Sequence, residues 1–246
     1  MKRTSWLLYL ALGLVALSAL VYFIHYAVFR DVHHIFIYLV GDIAFVPIEV
    51  LLVTVIIHRL LSVREKRILL QKLNMVIGAF FSEVGIELLR RVAALDDDVD
   101  VVRQNLIPRA DWTDADFANA ARHMGDYDYG IEMKPDALAA MRDFLLTKRE
   151  FSLRLLENPN LLEHESFTDL LWAVTHLTEE LAQRDTVYDL PESDYAHLAG
   201  DVKRAYSRVI GEWLKYMQHL QRSYPYLYSL ALRTNPFDPE ASPQVR

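Results

Sequence analysis

The sequence predicts an all-α protein: an N-terminal two-helix transmembrane hairpin, its second helix extended into the cytosol, followed by a cytosolic helical bundle. Three observations carry this expectation. Two apolar runs, residues 6–29 and 35–61, are each long enough to cross a bilayer, which takes about 20 residues. Positive charge flanks their outer ends, with Lys2 and Arg3 before the first and Arg59, Arg64, Lys66 and Arg67 after the second. Beyond them the chain repeats apolar residues at threes and fours, the period of an amphipathic helix, and breaks the pattern at prolines and asparagines.

The first run has no ionisable residue between Trp6 and Phe29 except His25 and the tyrosines. A cleaved signal peptide is the competing reading, since Ala16-Leu17-Ser18-Ala19 loosely matches a small-residue cleavage site. The apolar run continues through Val21 to Phe29 without the break expected after a processed segment, so it is read as uncleaved. The connection Arg30-Asp31-Val32-His33-His34 is expected as a tight turn between antiparallel neighbours. Trp6 and Tyr9 mark one membrane interface, and Tyr26 marks the other.

The second run carries two acids and a proline, Asp42, Pro47 and Glu49, in an otherwise apolar segment. Each ionised acid at a helix centre costs about 2.5 to 3.5 kcal/mol, while Leu, Ile, Val and Phe return about 0.3 to 0.6 each. Residues 35–57 hold 16 such apolar side chains. Their gain of roughly 5 to 10 kcal/mol competes with about 5 to 7 for the acids, so insertion is feasible when the acids are protonated or paired. Seven residues apart, Asp42 and Glu49 share one helix face, about 10.5 Å apart along the axis. Pro47 removes a backbone hydrogen bond between them and is expected to kink the helix. Matching depths across the hairpin puts Tyr22 and His25 nearest Asp42, with Ser18 nearer Glu49.

Three roles compete for this polar face: hydrogen-bonded packing between membrane helices, an ion or proton path through an oligomer, and pairing with a different membrane protein. The first leads. The expected partners are the lipid bilayer and either further copies of the chain or another membrane protein. The positive-inside rule expects both termini in the cytoplasm and a multi-pass inner-membrane protein.

The hairpin takes residues 1–61. Residues 62–95 are expected as a juxtamembrane helix, with Leu69, Leu73, Val76, Phe80, Val84 and Leu88 at helical spacing. The stretch 73–82 is too apolar to lie exposed and too short to span, so something must cover it. Gly78, Ser82 and Gly85 form a small-residue stripe on which another backbone is expected to pack closely.

Residues 96–134 are expected as a linker with one short helix, opened by a capping pattern at Thr113-Asp114-Ala115-Asp116 and running to about Met124. Residues 135–246 are expected as the bundle. Pro135 suits a helix start, and Asn158-Pro159-Asn160 stops that helix after Glu157. Phe167, Leu170, Leu171, Val174, Leu177 and Leu181 make the stripe of the next helix. Tyr195, Leu198, Val202, Tyr206, Val209, Trp213, Tyr216 and Leu220 form the seam of the last long one. Tyr224-Pro225 breaks it, and a short helical return follows.

The chain has 33 acidic against 26 basic residues, a net charge of −7. Of these, only Asp31, Asp42 and Glu49 among the acids and Lys2, Arg3, Arg30 and Arg59 among the bases precede Ser62, so the cytosolic part is more acidic still. Nucleic acid is therefore not an expected partner. Cysteine is absent, which excludes disulfides and thiolate chemistry.

No catalytic motif, cofactor or metal site is assigned, and the chain is read as a non-enzyme. Asp126, Asp128 and Gly130 alternate as in a calcium loop, but Ile131 and Ala137 stand where an EF-hand needs its glycine and its bidentate glutamate. An enzyme using His123, Asp126 and Asp128 with a metal is the weakest alternative. Asp194-Tyr195-Ala196-His197 is half of a di-iron pattern that needs two halves, and His164, His176 and His219 lie on different predicted helices without ligand spacing.

Residues 151–177 (FSLRLLENPNLLEHESFTDLLWAVTHL), residues 224–239 (YPYLYSLALRTNPFDP) and residues 33–61 resemble a group of uncharacterised bacterial integral membrane proteins with two transmembrane helices. The resemblance covers most of the chain and implies a membrane location. It implies no activity and carries over no functional residue.

Overall fold

In a computed structural model of the protein, which describes residues 2–159, 161 and 164–245 and the side chains of these apart from 2–7 and 66–71, the first corner is tighter than expected. Helix α1 (Lys2–Phe29) ends where Arg30 adopts a left-handed conformation, with φ of 51°, and its N–H donates to the Tyr26 carbonyl at 2.8 Å. Asp31 then caps helix α2 (Val32–Phe80), its Oδ1 accepting from the His34 N–H at 3.1 Å. This side-chain cap satisfies one of the donors that a helix start leaves open. The connection is thus two residues rather than five, because a left-handed residue and an N-cap complete the reversal.

The chain divides into two compact units, Met1–Lys66 and Arg67–Arg246. In the first, Leu8–Phe29 and Val32–Glu65 are long and apolar enough to cross a membrane, with mean hydropathies of 2.0 and 2.3. A helix of 22 residues is about 33 Å long, against about 30 Å for a bilayer's hydrocarbon core. Neither segment is buried within the chain. Pro47 lies inside α2 without ending it. The side chains of Lys2, Arg3, Trp6, Lys66, Arg67 and Leu69, and all of Asn160, on which the sequence expectations draw, lie outside the described residues.

Among its described residues the second unit is helical apart from its loops, two of which meet in an isolated antiparallel bridge between Asp96 and Ile131. Where α2 ends, Phe81–Gly85 forms a π-helical turn, followed by α3 (Ile86–Ala93). Leu73, Ile77, Phe80, Phe81, Val84, Leu88, Leu89 and Val92 are buried along this segment. The cover is the chain itself: Phe80 meets Phe167 edge-to-face at 5.5 Å, and Phe81 stacks on Tyr216 at 5.1 Å.

The segment expected as a linker is packed into this unit. It holds α4 (Val99–Leu106) and α5 (Asp114–Gly125), which bury Val102, Leu106, Phe117, Ala120 and Met124. Thr113 caps α5 through a capping box with Asp116, as its sequence pattern expects. A run of aspartates hid α4, whose apolar residues are too few to signal a helix alone.

Helix α6 (Pro135–Leu156) starts on Pro135, whose missing N–H costs nothing at that position. Helix α7 (Glu165–Ala182) buries all six residues of its predicted stripe. Helix α8 (Glu192–Ser223) is the longest of this unit and packs against α5, α7 and α9 (Pro225–Arg233). Its seam is buried from Leu198 to Leu220, with Tyr195 and Tyr216 half-buried. After α9 the chain is pinned by Asn235, whose Nδ2 donates to the Leu106 carbonyl at 2.8 Å while its Oδ1 accepts from the Phe237 N–H. Phe237 then meets Trp213 at 5.3 Å.

Candidate functional site

Three side chains predicted to lie at one depth in the hairpin line one pocket. Tyr22 and His25 from α1 and Asp42 from α2 share a recess of about 210 Å³ with Val21, Ile35 and Tyr38. Their spacing explains the arrangement. Asp42 lies four residues beyond Tyr38, and His25 three beyond Tyr22, so each helix presents its pair on a single face. The rings continue toward the corner, His25 lying 5.9 Å from His34 and His34 lying 4.7 Å from Tyr38. His25 Nδ1 is buried and makes no hydrogen bond.

The other residues of the predicted polar face are not gathered in. Ser18, Pro47 and Glu49 are exposed, and among the described residues Glu49 has no hydrogen bond or ion pair. The chemical character of the pocket is that of one carboxyl, one imidazole and two phenols among aliphatic walls. Such a set can exchange hydrogen bonds or relay a proton, and it holds too few convergent ligands to fix a metal.

The small-residue stripe meets rings instead of a backbone. A Cβ on Gly78 would stand 3.3 Å from the Tyr216 hydroxyl. On Gly85 it would stand 2.5 Å from Cδ1 of Phe81, four residues earlier in the same π-helical segment, and 3.0 Å from Phe80. Ser82 is exposed. The helix needs glycine at 85 because the π-turn swings its own phenylalanine across that position.

His123, Asp126 and Asp128 go to separate places. His123 lines a recess with Trp112, Asp116 and Asn119, the Asp126 N–H closes the end of α5 on the Arg122 carbonyl, and Asp128 pairs with Lys203 at 3.0 Å. They form no common site.

His176, expected to lack ligand spacing to the other predicted-helix histidines, and His197, expected as half of a metal pattern, come together with Glu180 and Asp201 between α7 and α8. His176 and Glu180 stand one turn apart on α7, and His197 and Asp201 one turn apart on α8. Because the two helices pack side by side, His176 Nε2 comes within 3.5 Å of Asp201 Oδ2, and His197 Nε2 within 3.4 Å of the same oxygen. Glu180 reaches His176 at 3.9 Å through Oε1 and His197 at 3.7 Å through Oε2. Among the described residues, His176, Glu180 and Asp201 are the one set of such side chains close enough together to hold a metal ion. The Arg184 guanidinium, bonded to Glu180 at 2.9 Å, holds that carboxyl below its ordinary range.

Comparison with known proteins places this architecture. Residues 2–61 match the model described as MJ1433, N-terminal helical domain, and residues 69–233 match that of uncharacterized protein MJ1433, C-terminal helical domain. The chain is 46% identical over 238 residues to uncharacterized protein MJ1433 of Methanocaldococcus jannaschii, covering 97% of this chain and 96% of the relative. The chain belongs to the MJ1433 family.

No solved structure matches it. The MJ1433 family's two helical domains divide near the boundary between the two structural units. The N-terminal one contains the Tyr22, His25 and Asp42 pocket, and the C-terminal one contains the α7–α8 cluster. The signal for that cluster was present as two His-x-x-x-acid pairs on consecutive helices. It becomes a site only once the helices are laid against each other.

Proposed function

We propose that the protein is a membrane-anchored helical module whose hairpin associates through its polar face with a further copy or another membrane protein, holding the helical unit at the cytoplasmic surface as a protein-binding platform. One observation carries the reading: Asp42 and Glu49 are exposed on an apolar helix that the chain itself does not cover. Counted from the corner, Asp42 sits about 15 Å into α2 and Glu49 about 25 Å. Asp42 is therefore near the middle of a 30 Å hydrocarbon layer, where an uncovered acid is most costly, while Glu49 is within reach of the far interface.

The flanking basic residues orient both termini to the cytoplasm. The relative is archaeal, and the same topology suits a single cytoplasmic membrane. The module is read as non-enzymatic.

Crosslinking in membranes tests the association. The expected outcome is a product of more than one chain, weakened about three- to fifteen-fold in Asp42→Leu, the range of interhelical hydrogen bonds in bilayers, and retained in Asp42→Asn. Monomer alone, with no co-purifying protein, counts against it.

A second reading is favoured by the unpartnered His25 Nδ1 in the same pocket as Asp42 and two tyrosines. In that reading an oligomer conducts ions or protons along this face, since two helices alone enclose no pore. It requires flux in proteoliposomes that falls in Asp42→Asn and Glu49→Gln, and unchanged or absent flux removes it.

A further inference from the structure

We propose that His176, Glu180 and Asp201 form a binding site for a divalent transition-metal ion of the zinc class, clamping α7 to α8, with His197 beside it and a coordination position left open. The site is independent of the hairpin and of its association.

Three features point to an ion. The first is spacing. The four nitrogen–oxygen separations run from 3.4 to 3.9 Å. Charge-assisted hydrogen bonds are shorter, about 2.7–2.9 Å. A tetrahedral ion with ligands at 2.0–2.2 Å has edges of about 3.4 Å between them. The contacts are longer than hydrogen-bonded ion pairs, and the two to Asp201, at 3.5 and 3.4 Å, have the length of such an edge.

The second feature is an orphaned acceptor. Asp201 is almost completely buried, and its Oδ2, the oxygen facing both imidazoles, accepts no hydrogen bond. A buried carboxylate oxygen without a partner is costly, and a cation on that side removes the cost.

The third is the way the ligands are held. Asp201 Oδ1 accepts from Arg204 at 2.7 Å, which leaves Oδ2 to point inward. Glu180 Oε2 is bonded to Arg184, itself fixed on Asp194 by two bonds of 2.6 and 2.9 Å. Outer groups that immobilise ligands in this way are a recurring feature of metal sites. The donor set selects the ion. One imidazole with two carboxylates, and a second imidazole close by at His197, suits zinc and its first-row neighbours, whereas calcium and magnesium prefer oxygen alone.

The test uses the full-length protein in detergent, freed of any tag and stripped with EDTA, then titrated with Co²⁺ alone and with Zn²⁺ alone. The expected result is one ion per chain, a tetrahedral-type visible spectrum with Co²⁺ that Zn²⁺ abolishes, and a rise in Tm on Zn²⁺ addition. Asp201→Asn and His176→Gln should each weaken Zn²⁺ binding at least tenfold, while the distant His164→Gln leaves it unchanged. Since Asp201 is buried, His176→Gln, on a half-exposed side chain, supplies the decisive comparison if the aspartate variant does not fold. Failure of the wild type to take up Zn²⁺, or equal affinity in folded His176→Gln, overturns the proposal.

Discussion

Asp96 shows how single residues set the behaviour of the helical unit. It is buried between the end of α3 and the loop at Gly130, whose carbonyl accepts from the Asp97 N–H; its own Oδ1 accepts from the Asp98 N–H at 3.2 Å while its Oδ2 has no partner. Burial raises its pKa, and the neighbouring charges of Asp98 and Asp97 add to the rise against the backbone bonds that lower it. A carboxyl whose folded pKa lies above its unfolded one favours the fold when protonated, and that contribution is lost as pH rises through the folded value. Asp96→Asn should therefore melt higher than the wild type at pH 7. The gain should shrink as the pH is lowered through the raised pKa, and thermal melts at several pH values check it. A variant less stable at pH 7 would show that the charged form is the one the fold needs. At the same scale, the pairs His176 with Glu180 and His197 with Asp201 are visible in the sequence, but their meeting is not, because Asp201 lies 25 positions beyond His176 on the next helix.

Elements were legible where their ends carry chemistry. Thr113 with Asp116 announces α5, and Pro135 announces α6. The α7 stripe of six apolar residues is buried throughout. Elements without such marks were not. The hairpin corner has neither glycine nor proline, and its turn depends on Arg30 taking a left-handed conformation. The π-turn at Phe81–Gly85 has no periodic signature, since it only inserts a wider turn into a continuous helix.

That turn makes different demands on the two glycines of the stripe. In Gly85→Ala the new methyl meets the buried ring of Phe81, so stability should fall by about 1–2 kcal/mol, an overpacking cost net of the gain in helix propensity. In Gly78→Ala the neighbour is the tip of Tyr216, and a propensity gain of about 1 kcal/mol should leave stability nearly unchanged. Denaturant melts followed by circular dichroism distinguish the two. Equal effects would mean that the π-turn is not what requires glycine at 85.

At the scale of the whole molecule, the two units differ in what they leave uncovered. The helical unit buries Phe80, Phe81, Phe167, Tyr206, Trp213 and Phe237 within itself and answers its own need for a core, although Trp172 and Tyr226 stay exposed. The hairpin does the reverse, turning its apolar residues outward and keeping Tyr22, His25 and Asp42 around a recess between its two helices. Lipid can cover aliphatic side chains, but it offers nothing to a carboxyl at mid-depth. In the proposed association the polar face is the part of the chain that meets a companion, and the family match runs through both units.

The most direct measurement is the mass and composition of the protein extracted from its membrane in native polymer nanodiscs, without detergent. Under the proposed association each disc should hold more than one copy of the chain, or the chain with another membrane protein, and Asp42→Leu should shift the population toward single chains. Discs that contain one wild-type chain and no other protein, at every dilution, would contradict it.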